Sequence, residues 1–167
     1  GVTSVQDGGA SLRALAELRA EGKLTLRVYK WGRLGGKWER HERRRKKFPP
    51  GDPLLAFGSL KGFVDGTLGS GTAALLEPYA DTPRSSGILN TSASRLDALV
   101  QEATRRGFQV NLHAIGDRAV RMGLDAVQSA TALASANPSQ SDQRTSTLDP
   151  SSPHPSTLRH RIEHAQL

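Results

Sequence analysis

Three side chains able to support metal or acid–base chemistry lie on predicted strands or at their ends: Lys61, His113 and His164. In parallel α/β sheets, functional groups gather at the carboxyl ends of the strands. Imidazoles from successive strands can point into one site and bind a divalent metal. The spacing therefore makes His113 and His164 candidate metal ligands. The alternative for each is an ordinary hydrogen-bonded histidine in the core or at its rim.

Lys61 is the least expected of the three, because it interrupts an otherwise apolar strand pattern. Burying an ammonium group is costly without a partner. Two structural interpretations compete with a functional one. The side chain either pairs with Asp65 or extends along the strand until its amine reaches solvent.

Other polar residues have structural interpretations at this stage. Asp65 and Asp117 are expected in a turn and at a helix cap, respectively. Glu163 would face the opposite side of a strand from its neighbour His164, so we expect it to have a supporting role. The remaining histidines are expected to be solvated: His41, His154 and His160.

The elements that must position these groups alternate between strand and helix. The predicted strands cover residues 2–6, 24–29, 60–65, 108–113 and 161–166. Helices are expected to begin near Ser11, Ser94 and Asp117, and glycine follows the first two of them. This order predicts βαβ units on a parallel sheet with helices outside. Periodicity alone does not distinguish a barrel segment from a doubly wound sheet.

Two segments depart from the alternation. Residues 32–58 are predicted to be an irregular basic loop, because they combine a run of basic residues with three prolines. Residues 131–157 are rich in Ser, Thr, Pro and Gln, which predicts a flexible polar insertion.

The net charge of +7 comes largely from one place. Six basic residues lie between Arg40 and Lys47, and the rest of the chain is close to neutral. A nucleic-acid-binding module using residues 37–47 is therefore an alternative, although aromatic residues for base stacking occur only at the edges of the run. Cysteine is absent and no apolar stretch approaches the roughly 18 residues of a membrane span, so we expect a cytoplasmic protein without disulfides.

Several motifs together resemble one family. They are KGFVDGTLGS at 61–70, TAAL at 72–75, Pro78-Tyr79, LHAIGDRA at 112–119 and RIEHAQ at 161–166, with GVTSVQD at 1–7 and LRVY at 26–29 similar to earlier strands. Their order and spacing resemble the YtcJ-like amidohydrolases of amidohydrolase family 3, a branch that includes the N-substituted formamide deformylases. Residues 32–58 and 131–157 lie outside this resemblance.

The resemblance implies a metal-dependent hydrolase of amide-like or formamide-like C–N bonds, built on a TIM (β/α)8 barrel. The five predicted strands would be roughly barrel strands 2–6. By analogy, His113 and His164 would be ligands from the fifth and sixth strands, and Lys61 would be the carboxylated lysine of the fourth strand. The implied cofactor is a divalent metal, usually zinc, as one or two ions.

Two departures from the family pattern affect catalysis. The first-strand His-x-His pair and the eighth-strand Asp, the expected catalytic base, have no counterpart in the 167 residues. A complete barrel needs roughly 200 residues at minimum. We therefore expect a partial barrel spanning 1–167, an internal fragment that needs the remainder of the barrel to act on a small amide-like substrate. A smaller departure is Gly71, where relatives commonly carry Arg. A non-catalytic remnant of the fold is a further alternative, and a homo-oligomer stays open.

Overall fold

The chain folds around one parallel sheet. The computed structural model describes residues 1–136 and 158–167. The strands are β1 (Ser4–Asp7), β2 (Arg27–Arg33), β3 (Leu55–Phe63), β4 (Gln109–Ala114) and β5 (Arg161–His164). The helices are α1 (Leu12–Ala20), α2 (Trp38–Lys47), α3 (Ala93–Arg105) and α4 (Asp117–Ala136), with a short 3-10 helix at Leu68–Ser70.

All described strand pairs are parallel, and the sheet order is β1-β2-β3-β4-β5. Strands that follow one another along the chain are therefore neighbours in space, which is the topology of a (β/α)8 wall. The described residues form about half of such a barrel with helices outside, and this confirms the predicted fold class.

Local signals explain several helix ends. The Ser11 hydroxyl accepts a hydrogen bond from the Ala14 N–H at the start of α1, as predicted. Helix α3 is capped by Ser92 instead of Ser94, since the Ser92 hydroxyl accepts from the Arg95 N–H. Gly22 and Gly107 follow α1 and α3 with φ of 68° and 71°, a left-handed conformation that glycine adopts without strain.

The two faces of the sheet differ in chemistry. The outer face packs under the helices, and its fully buried apolar residues include Leu55, Phe57, Leu60, Val110, Leu112 and Ala114. The opposite, inner face carries residues that share register across four strands, namely Trp31, Arg33, Ser59, Lys61, Phe63, Gln109, Asn111, His113, Arg161 and Glu163. Most of these residues are polar. The inner face therefore carries the side chains that could bind a ligand, and the apolar core lies on the outer face.

A β-bulge decides on which face Lys61 lies. Lys30 pairs with Phe57, but the next residue of β2, Trp31, pairs with Ser59, so Gly58 is the extra residue in β3. A one-residue shift moves every following side chain to the other face. Without the bulge, Lys61 would share the outer face with Phe57 and lie in the apolar core.

The prediction of an irregular basic loop over residues 32–58 is wrong. These residues include the end of β2, all of α2 and the first part of β3. The sequence pattern did not indicate helix α2, because the residues that this helix buries are polar. They are His41 and Arg45, which lie at the helical i, i+4 spacing. The expectation of a solvated His41 is also wrong, since its Nε2 lies 3.1 Å from the Arg33 carbonyl oxygen and its ring stacks on Phe57.

Two residues of the basic run, Arg44 and Arg45, make contacts that stabilise the fold. The buried Arg45 guanidinium lies 3.9 Å from the centre of the Phe108 ring and donates to the carbonyls of Arg106 and Gly107 at 2.9 and 3.0 Å. Arg44 lies over the Phe57 ring in the same way, at 5.7 Å. These contacts tie α2 to the turn that precedes β4.

We expect Arg45→Met to destabilise the protein, because it removes two charge-assisted hydrogen bonds while keeping much of the side-chain volume. The expected loss is about 2 kcal/mol, or a fall in melting temperature of about 4–8 °C. Calorimetry of the variant beside Arg43→Met, which changes an exposed residue of the same helix, checks this. Equal melting temperatures for the two variants would contradict a structural role for Arg45.

The predicted start of the insertion at residue 131 is wrong, because helix α4 continues to Ala136. The rest of that prediction, with His154, lies outside the described residues. No helix within residues 1–136 or 158–167 has both the length and the apolar character needed to cross a membrane.

Candidate functional site

Lys61 and His113 lie on adjacent strands of the inner face. Lys61 pairs in register with Asn111, and His113 pairs with Phe63 one pleat further along. Both side chains are largely buried, with 8% of each residue exposed. The two residues therefore share one region near the carboxyl end of the sheet, where the sequence placed them.

The His164 side chain lies in the same region because the backbone leaves the extended conformation at this residue. It pairs with Ala114, whose side chain lies in the core, so regular alternation would turn His164 to the outer face. Instead, His164 has φ of 79° and Ala165 has φ of 43°, values that are uncommon outside glycine. The His164 ring contacts the His113 ring with centroids 4.6 Å apart. Backbone strain of this kind concentrates at functional sites.

The expectation that Glu163 faces away from the site is wrong. Glu163 pairs with His113 and therefore shares the inner face with Lys61. Its carboxylate forms an ion pair with the Arg161 guanidinium. Glu163 and Arg161 thus add one charge of each sign beside Lys61.

Hydrogen bonding selects one tautomer of the His113 ring. Nε2 lies 2.7 Å from the carbonyl oxygen of Gly66, which can only accept, so Nε2 carries the proton. The Asp65 Oδ1 atom lies 3.5 Å from the same nitrogen. Nδ1 of the neutral ring is left as the basic nitrogen, and a basic ring nitrogen is what a metal ligand requires.

Lys61 has no carboxylate partner within ion-pair distance among the described residues. The expected pair with Asp65 is wrong, since the Asp65 oxygens accept from backbone N–H groups. The Lys61 Nζ atom lies 5.5 Å from the centre of the Phe63 ring. Burial, with a smaller contribution from the nearby Arg161, lowers the pKa of Lys61, while Glu163 opposes this.

The pKa of His164 is also below its ordinary value. His164 is exposed, and the loss of part of its hydration against the protein is the main cause of the shift; the neighbouring His113 and Lys61 act in the same direction. Both Lys61 and His164 therefore favour their neutral forms more than free side chains do. Neutral nitrogen bases are the forms that bind metals.

Two buried polar atoms of the inner face lack hydrogen-bond partners among the described residues: Ser59 Oγ and Asn111 Oδ1. Sequence reasoning missed both, because a single Ser or Asn in a strand carries no distinctive pattern. They lie on the same face as Lys61. Buried groups of this kind are normally satisfied by water or a ligand.

Asp65 has more contacts than its predicted turn role required. Its fully buried carboxylate accepts hydrogen bonds from the Ala74, Ile115 and Gly116 N–H groups, at 3.0, 3.0 and 2.8 Å. Asp117, in the first turn of α4, accepts from the Leu76 N–H at 2.8 Å. The two carboxylates fasten the 73–76 loop to the start of α4.

His160 is not solvated, contrary to expectation. The ring is half-buried, its Nδ1 accepts from the Val110 N–H at 3.0 Å, and Nε2 lies 3.2 Å from the Thr104 hydroxyl oxygen. Burial lowers its pKa. These contacts fix the start of β5 against β4, away from the His113–His164 pair.

The fold and the inner-face site define an α/β half-barrel with nitrogen donors at the carboxyl ends of its strands. Residues 1–160 match the profile of the amidohydrolase family. The chain therefore belongs to the amidohydrolase family, as the sequence motifs indicated.

Individual relatives agree with this assignment. The chain is 41% identical over 76 residues to amidohydrolase YtcJ of Bacillus subtilis, an alignment covering 46% of this chain and 14% of the relative. It is similar to crystal structures of metal-dependent hydrolases from Pyrococcus horikoshii and Pyrococcus furiosus. Their TM-scores are 0.61 and 0.60 at 32% and 36% identity. Each alignment covers 77% of this chain and 26% of the solved chain. The chain thus spans about a quarter or less of the length of these relatives.

Proposed function

We propose that Lys61, His113 and His164 bind a divalent metal, and that the chain supplies this part of the active site of a hydrolase acting on amide-like or formamide-like C–N bonds. The observation that supports this most is the left-handed backbone at His164, which brings its ring to within 4.6 Å of His113. Strain of about 1–3 kcal/mol persists only where the surroundings compensate for it, and a shared metal would do so.

The donor set fits a metal such as zinc. Imidazole nitrogens and anionic oxygens are zinc ligands, and catalytic zinc sites commonly use three protein ligands. In residues 1–136 and 158–167, no three His, Asp or Glu side chains gather as a metal site, so the third ligand in this proposal is Lys61. Lys61 is close enough to His164 to lower the pKa of that ring, and among the described residues it forms no ion pair with a carboxylate.

A lysine becomes a zinc ligand most readily as a carbamate. The neutral amine attacks the carbon of CO2, an N–C bond forms, and one proton leaves the nitrogen. The product is an anion with two oxygen donors. The lowered pKa of Lys61 increases the fraction of neutral amine available for this step.

Each residue has a separate task in the proposed reaction. His113 presents Nδ1 because Gly66 holds its Nε2–H, and His164 supplies the second imidazole. A bound metal would lower the pKa of a bound water to about 7 and polarise the scissile carbonyl. Arg161 and Glu163 flank the site and are placed to orient polar groups of a small substrate. The resemblance assigns the catalytic base to an Asp of the eighth barrel strand, which has no counterpart here.

The proposal predicts that the protein encoded by the full reading frame contains zinc or a related divalent ion and loses hydrolysis of amides or formamides on chelation. Elemental analysis of the purified protein, followed by chelation and stepwise zinc addition, checks both parts. Activity that survives complete metal removal would contradict it. Metal content without turnover of any C–N substrate would leave the metal site intact and refute the substrate class.

A further inference from the structure

The buried carboxylate of Asp65 lies 3.5 Å from Nε2 of the His113 ring. We propose that Asp65 is a positioning residue that holds the His113 ring in its metal-binding tautomer and orientation. It would act through the turn after β4, which it anchors, and through its charge beside Nε2. This inference rests on the proposed metal site.

Asp65 fixes the chain that follows His113. Ile115 and Gly116 come two and three residues after it, and both donate backbone N–H groups to the Asp65 carboxylate, at 3.0 and 2.8 Å. His113 is therefore held between the β4 ladder on one side and this anchored turn on the other.

The carbonyl that contacts the His113 ring is held by the backbone of its own turn. The Gly66 N–H donates to the Thr72 carbonyl at 3.1 Å, and the Thr67 N–H donates to the Thr72 hydroxyl at 2.9 Å. A Cβ atom at residue 66 would lie 2.0 Å from the Thr72 hydroxyl oxygen, so only glycine fits here. The Gly66 carbonyl oxygen lies 2.7 Å from His113 Nε2 and gives the ring its first anchor, to which the Asp65 carboxylate adds the second.

A carboxylate suits this position better than an amide. The group accepts three backbone hydrogen bonds, and both of its oxygens are used. An asparagine has one acceptor oxygen and would turn its NH2 group toward a donor. The negative charge 3.5 Å from Nε2 additionally favours a proton on that nitrogen, which leaves Nδ1 basic.

A purely structural role for Asp65 predicts a different outcome. Asp117 fastens the same loop to α4 and does so without contact to His113. If loop closure were the whole role, substitutions of the two residues would act alike. Asp117→Ala is thus the matched control, because it removes the hydrogen bond from the Leu76 N–H and leaves the contacts of His113 in place.

The test compares Asp65→Asn and Asp117→Ala in the protein encoded by the full reading frame. Zinc affinity is measured by competition with a chelator, and the tautomer of His113 is read from the 15N shifts of the metal-free protein at one pH. We expect Asp65→Asn to weaken zinc binding about 10–100-fold, the usual effect of losing an outer-shell partner. We expect its His113 ring to populate both tautomers, while Asp117→Ala matches the wild type in both readouts.

Equal zinc affinity for Asp65→Asn and wild type, or equal weakening in both variants, would overturn the proposal. If Asp65→Asn does not fold, the wild-type ring still decides: a proton on Nδ1 of His113 would overturn the proposal, and a proton on Nε2 is the result expected. A wild-type protein that binds no zinc would refute the proposed function. The tautomer comparison would then still decide whether Asp65 positions the ring.

Discussion

Replacing His113 with alanine is expected to lower zinc affinity and hydrolytic activity by more than about 100-fold, beyond the 10–100-fold that loss of an outer-shell partner produces. The substitution removes one of the three proposed ligands and leaves the Gly66 carbonyl and the Asp65 carboxylate facing an empty space. His164→Ala and Lys61→Ala are expected to have similar effects. Zinc content and kcat/KM of the purified variants provide the measurements.

His41→Ala is the matched control for His113→Ala. His41 is also a buried histidine with a backbone carbonyl partner, but it lies on α2 under the outer face. We expect this variant to melt at a lower temperature and to keep its zinc. Loss of zinc in His41→Ala, or its retention in His113→Ala, would contradict the proposed ligand set.

The second large effect concerns the 167-residue chain expressed by itself. We expect its hydrolytic rate to be at least about 10²–10⁴-fold below that of the full reading frame, the usual contribution of a general base. Each carboxylate of the described site already has partners: Asp65 accepts from backbone N–H groups, Asp117 accepts from Leu76, and Glu163 pairs with Arg161. Strands β1 and β5 would also be unpaired edges, which favour aggregation.

The assay uses the isolated chain and the full-length protein, each loaded with zinc, on amide and formamide substrates. Comparable turnover from both, abolished by chelation, would show that further strands are dispensable. A soluble isolated chain that binds zinc without turnover is the result expected if the metal ligands are present and the catalytic base is missing.

The order of the strands and of helices α1, α3 and α4 could be predicted because each of these elements has a local signal. Apolar runs marked the strands, Ser11 marked the start of α1, and Gly107 marked the end of α3. The motifs that resemble amidohydrolases then placed Lys61, His113 and His164 in one region. The ring contact between His113 and His164 agrees with that placement.

Other features could not be predicted, because they depend on contacts between distant residues. The bulge at Gly58 lies within a continuous apolar run, where face alternation leaves no trace. Helix α2 buries an arginine and a histidine, which look like solvent-facing residues until Phe57 and Phe108 are packed against them. The left-handed His164 follows a regular strand pattern, and alternation placed Glu163 on the wrong face.

The metal site itself is tested most directly by a crystal structure of the full-length protein with zinc, using anomalous scattering at the zinc edge. We expect a zinc peak about 2.0–2.2 Å from Nδ1 of His113 and from a ring nitrogen of His164. We also expect density for a carboxyl group beyond Nζ of Lys61 that contacts the metal. Zinc bound elsewhere, or a His164 ring turned to the outer face with an ordinary extended backbone, would contradict it.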